Sequence, residues 1–155
     1  MEKDTEYLKE LMAQRQTDMA PLMKYLPWLE QVKASSVSTM YNGEGMDQAG
    51  SLSFPVYDST LMSFIKVATN STFMDRNYPY VYTRRQIKTA EDERRLIDSA
   101  QYKDWDLLCG ILSKYVLGGR TKGILWSQGV SEQIFVKILV KMNEIVTQWD
   151  AERNL

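Results

Sequence analysis

Apolar residues recur at helical spacing through most of the chain, and the pattern dissolves in one stretch. Residues 3–18 carry Tyr7, Leu8, Leu11 and Met12 among charges, which predicts an amphipathic helix. Met19, Leu22, Met23 and Leu26 would continue its stripe, but Pro21 and Pro27 are expected to cut it into short pieces. Proline lacks the amide donor and clashes with the preceding turn. Trp28, Leu29 and Val32 follow the second proline.

From Ala34 to Pro55 turn formers dominate: the run Ser35-Ser36-Val37-Ser38-Thr39-Met40-Tyr41-Asn42-Gly43-Glu44-Gly45, then Gly50-Ser51. Residues 34–55 read as a long flexible loop or as a hairpin pairing Val37–Tyr41 with Leu52–Val56. Such a loop inside a compact domain is commonly functional or disordered.

Asp58 or Ser59 is expected to cap a helix carrying Leu61, Met62, Phe64, Ile65, Val67 and Ala68. Tyr78-Pro79-Tyr80-Val81-Tyr82 alternates at period two, which predicts an extended segment. Thr89 with Asp92 three residues on predicts a capping box, and Glu91, Asp92 and Glu93 complement the helix dipole. Trp105–Val116 reads as a helix stopped by Gly118-Gly119 in the left-handed conformation. A short piece, Ile124–Ser127, is expected to end at Gly129.

Ser131 is then expected to cap the last helix, whose stripe is Ile134, Phe135, Ile138, Leu139, Met142, Ile145, Val146 and Trp149. Val136 and Val140 widen that stripe past half the circumference at ~100° per residue, which predicts a long central C-terminal helix. The fold class expected is all-α, or mainly α with one small β-hairpin. The 155 residues make one compact domain, residues 1–155.

Charge narrows the partners. The net charge is −1, so no global field draws nucleic acid or an anionic membrane. Residues 1–70 hold 6 basic and 9 acidic side chains, and residues 83–122 hold 9 and 6, a modest dipole along the chain. One cysteine, Cys109, precludes an internal disulfide and points to a reducing compartment. The charged N-terminus predicts no signal peptide, and no run is apolar enough to span a membrane. A cytoplasmic location is expected.

The chain has no histidine, which removes Ser-His-Asp and Cys-His nucleophilic sites and imidazole acid-base work. Cys109 beside Leu108 reads as a small buried thiol. Ser63-Phe64-Ile65-Lys66 matches the Ser-x-x-Lys pattern without the rest of that signature. Gly118-Gly119-Arg120-Thr121-Lys122-Gly123 lacks the Gly-Lys-Ser/Thr ending of a phosphate loop. Glu91–Glu93 and the pair Asp104 and Asp106 read as dipole complements. No catalytic residue, cofactor or metal is expected, and a hidden hydrolase using Glu91 and Asp92 is the least favoured reading.

Binding remains. Tyr78, Tyr80 and Tyr82 run into Arg84 and Arg85, with Lys88, Arg94 and Arg95 close by, a composition that stacks on bases and grips phosphates. Met40, Tyr41, Met46 and Trp28 are candidates for a protein interface, where Tyr, Trp, Met and Arg are enriched. A protein partner is the leading expectation, nucleic acid the alternative, and self-association stays open.

Three segments together carry a resemblance: Lys24-Tyr25-Leu26-Pro27-Trp28-Leu29-Glu30, Phe54-Pro55-Val56-Tyr57 with the helix to Phe64-Ile65-Lys66, and Gly123-Ile124-Leu125-Trp126-Ser127-Gln128-Gly129 running into Ile134–Leu139. The chain resembles a bacterial domain family of unknown function, small cytoplasmic proteins of Gram-positive genomes and their mobile elements. The resemblance implies a helical fold, a bacterial or phage source and no assigned catalytic residues. It also implies a phage- or mobile-element-encoded inhibitor or regulator of a host defence complex.

Overall fold

A computed structural model describes residues 2–32, 38–42 and 53–153. The fold is mainly helical: α1 (Glu2–Met23), α2 (Leu26–Gln31), α3 (Ser59–Thr69), α4 (Tyr78–Arg85), α5 (Ala90–Ser99), α6 (Trp105–Gly118), α7 (Ile124–Ser131) and α8 (Ile134–Arg153). Strands β1 (Ser38–Asn42) and β2 (Ser53–Tyr57) pair antiparallel, with Met40 opposite Pro55. Residues 43–52 between them, Met46 included, lie outside the described residues.

The core is built around α6 and α8. In α6 Trp105, Leu107, Leu108, Ile111, Leu112, Tyr115 and Val116 are all buried, so nearly the whole circumference faces protein. Its polar positions are few because it has neighbours on several sides, α3, α4, α7 and α8. Along α8, Ile134, Phe135, Ile138, Leu139, Met142, Ile145 and Val146 turn inward, and α1, α2, α5, α6 and α7 pack on that helix. The side chain of Trp149 lies outside the described residues. Phe64 and Phe135 meet edge to face at 5.1 Å, extended by Tyr25 against Phe64 at 5.6 Å and Tyr115 against Phe135 at 6.2 Å.

Several expected boundaries move, each for a local reason. Pro21 lies inside α1 instead of cutting it. The helix ends two residues later, so the proline disturbs only its last turn, where Met19 and Leu22 are held in the core. Tyr7, expected in the stripe, is 64% exposed; the inward positions are Met12, Met19 and Leu22. Gly129 does not stop α7, which runs to Ser131; the position is small because the Phe135 ring occupies the space a side chain would need. Ser131 therefore ends α7, and the chain turns through Gln133 at φ 61° into α8.

Gly119 is right-handed (φ −65°, ψ −18°), not the expected left-handed stop. It is small because the Trp126 indole lies where its side chain would be. That indole donates from Nε1 to the Val116 carbonyl at 3.0 Å, satisfying a group that the end of α6 would leave open. The neighbouring carbonyls are satisfied locally: Leu117 by the Arg120 amide, and Gly118 by the Thr121 and Lys122 amides.

Candidate functional site

The tyrosine-arginine segment is a helix, α4, not the extended stretch its alternation suggested. Pro79 sits in the first turn, where its fixed φ suits a helix and its missing amide costs nothing. Among the described residues no strand pairs with it. Helical winding then separates the three tyrosines. Tyr78 and Tyr82, four apart, share one side, whereas Tyr80 is 58% exposed. Val81 is buried against α6, where a side chain at Gly110 would come within 2.9 Å of it. The close approach of α4 to α6 depends on that glycine. At the other end Gln86, at φ 56°, closes α4 in the left-handed conformation.

The arginines of this region are engaged within the molecule. Arg84 pairs with Asp106 and lies 5.8 Å from the Tyr80 ring. Arg85 reaches Asp104 at 3.2 Å and Asp106 at 3.6 Å. Arg94 pairs with Glu132, and Arg95 with Asp92 at 3.3 Å. Asp104 and Asp106 thus face arginines of α4 besides standing at the start of α6. Solvent reaches each of these pairs and screens it, so they orient side chains more than they hold the fold.

The expected capping box is present. Thr89 accepts from the Asp92 amide, and the Asp92 carboxylate accepts from the Thr89 and Lys88 amides. The Lys88 amide foremost, with Arg95 and Thr89 adding, holds the Asp92 carboxyl below its ordinary range.

Glu93 departs from its expected role as a dipole complement. It is fully buried. The periodicity of α5 explains this: Glu93, Ile97 and Ala100 lie on one face, and all three are buried. Tyr82 of α4 donates its hydroxyl to Glu93 Oε2 at 2.5 Å, and Tyr115 of α6 donates to Oε1 at 2.5 Å. Lys114 Nζ reaches Oε2 at 3.0 Å. Burial, reinforced by the carboxylate each phenol serves, pushes Tyr82 and Tyr115 far above the usual tyrosine value. A charge so placed is tolerable only because every oxygen is hydrogen-bonded and a cation touches it. The signal for it lay in the sequence, an acid in register with Ile97, but three consecutive acids at a helix start masked it.

The second feature is an open groove of about 460 Å³ between the end of α1 and the end of α3. Pro21 and Val67 supply its apolar surface above the buried Leu22, with Asp18 on the α1 wall and Lys66 on the α3 wall. Asp18 accepts from Gln14 at 2.9 Å and Thr72 at 3.0 Å. Pro21 has no amide hydrogen, so the Thr17 carbonyl, four residues back, is left without its helical donor. Thr17 lines the same groove.

The remaining sequence candidates scatter. Trp28 is half-buried against the core from α2. Met40 and Tyr41 lie on β1, and their side chains fall outside the described residues. Cys109 is half-buried on α6, and burial pushes its thiol up to about 12, which favours the protonated form. Ser63 and Lys66 sit on α3, with the Ser63 hydroxyl turned back to the Ser59 carbonyl. Among the described residues no three acidic or thiol groups converge to hold a metal ion, and no helix is long and apolar enough to cross a membrane.

A family model described as a family of unknown function (DUF6508) matches residues 14–148. No curated protein and no solved structure matches the chain.

Proposed function

The chain belongs to the DUF6508 family of unknown function, and from that premise we propose that it is a non-enzymatic binding module whose partner is a protein. The observation that carries this reading is the α1–α3 groove. It joins an apolar surface (Pro21, Val67) to a carboxylate (Asp18) on the α1 wall and an ammonium (Lys66) on the α3 wall. A peptide segment answers both features: an aliphatic side chain for the surface and charges for the walls. We place the protein in the cytoplasm and read its role as inhibition or regulation of a bacterial host complex. That last step rests on the family resemblance alone.

The test compares wild type with Val67→Asp and Lys66→Glu as bait in lysate of the source organism, with circular dichroism confirming that each variant is folded. Wild type is expected to recover a stoichiometric protein that both variants lose. No such protein, or one retained equally by both variants, overturns the reading.

Nucleic-acid binding is the second reading, favoured by the exposed Tyr80 ring beside Arg84 and by Arg95, whose side chain is 68% exposed. Against it, a phosphate would have to displace Asp104, Asp106, Glu132 or Asp92 from the arginines it needs. The hydrolase reading loses Asp92 to the capping box.

A further inference from the structure

The surroundings of Glu93 have a composition that its structural role does not require. Besides the ion pair, the Lys114 ammonium lies 4.8 Å from the centre of the Tyr82 ring and 5.1 Å from that of Tyr115. Two aromatic faces and a carboxylate around one nitrogen are what recognises an alkylammonium ion. The ring quadrupoles attract the cation, more strongly as water is excluded, and the carboxylate takes its proton donors. The walls also stand without the lysine. Each phenol is fixed by its own hydrogen bond to Glu93, and the three residues come from three different helices.

We propose that Tyr82, Tyr115 and Glu93 form an ammonium-recognition cage that Lys114 fills in cis, and that a free primary alkylammonium takes the same place when the lysine side chain is withdrawn. Access is built in. The Lys114 side chain is 31% exposed while that of Glu93 is 0%, so the lysine marks the way from solvent to the carboxylate. Of the other charges in this region, Arg94 is already paired with Glu132. The acceptor at Oε2 sets the ligand class: a primary ammonium donates to it, whereas a quaternary ammonium has no hydrogen to offer. The tethered lysine outcompetes free amines in the wild type, because an intramolecular group is present at a high effective concentration. This cage is independent of the α1–α3 groove.

The test uses the full chain carrying Lys114→Ala, which removes a fragment equivalent to n-propylammonium. Thermal unfolding is followed in n-propylammonium chloride, tetramethylammonium chloride and sodium chloride at matched ionic strength. The expected result is a lowered Tm that n-propylammonium alone raises saturably, with no such gain in wild type or in Lys114→Met, whose uncharged chain fills the space. If Lys114→Ala is unfolded without amine, recovery of its helical circular dichroism with n-propylammonium is the same result. Equal gains from all three salts, an equal gain in Lys114→Met, or no folding at the highest amine concentration would each overturn the proposal.

Discussion

At Gly129 the missing side chain is a packing requirement. The residue sits inside α7, where alanine would be preferred by ~1 kcal/mol on helix propensity alone. The Phe135 ring fills the place of the methyl group, and Phe135 is itself fully buried. Overpacking a tight core costs about 1–3 kcal/mol, so the steric term wins. Gly129→Ala is therefore expected to lower stability by up to about 2 kcal/mol in urea unfolding; a stabilised variant would show that the ring yields freely. Single residues were the least legible level of this chain. A glycine reads as a stop in sequence, yet Gly119 and Gly129 are dictated by rings that arrive from elsewhere in the chain. Glu93 was masked in the same way, since its partners Tyr82 and Tyr115 lie 11 and 22 positions away.

Helices were far more legible as elements than in their ends. The apolar periods of α3, α6 and α8 and the Thr89 box are local signals, and they hold. Pro21 and Pro79 misled because a proline's effect depends on where in the helix it falls, and sequence does not say where the first turn begins. The end of α6 is a further case, since its Val116 carbonyl is satisfied by a side chain from α7. Trp126→Phe keeps the ring against Tyr57, 5.3 Å away, but removes the donor. Leaving a part-buried carbonyl open costs about 1–3 kcal/mol, so this variant is expected to unfold at lower denaturant with helical content unchanged beforehand. Unaltered stability would mean that water replaces the indole there.

For the molecule as a whole, the mainly helical class followed from periodicity, because most of the core comes from stripes that repeat every turn. The tyrosine-arginine patch was legible only as a composition. Folding divides it into an inward phenol serving Glu93 and arginines facing carboxylates of α5, α6 and the α7–α8 turn. The buried phenols set the alkaline limit of the fold. Tyr82 and Tyr115 ionise more readily unfolded, near pH 10, than folded, where burial raises them. Above pH ~10 the unfolded chain thus binds fewer protons than the native one, and stability falls by up to ~1.4 kcal/mol per pH unit for each phenol. Below pH ~10 both states are protonated and the contribution is fully present. Urea midpoints measured from pH 8 to 11 check this on the chain itself, with Tyr82→Phe expected to flatten the alkaline decline; an unchanged slope would contradict it.

The edge-to-face row of Tyr25, Phe64, Phe135 and Tyr115 links the residue that opens α2 through α3 and α8 to α6. Flat plates set against each other's edges slide poorly and compress hardly at all. The row is therefore a stiff spacer: it fixes how far Tyr25 at one flank stands from Tyr115, whose hydroxyl holds the carboxylate of Glu93.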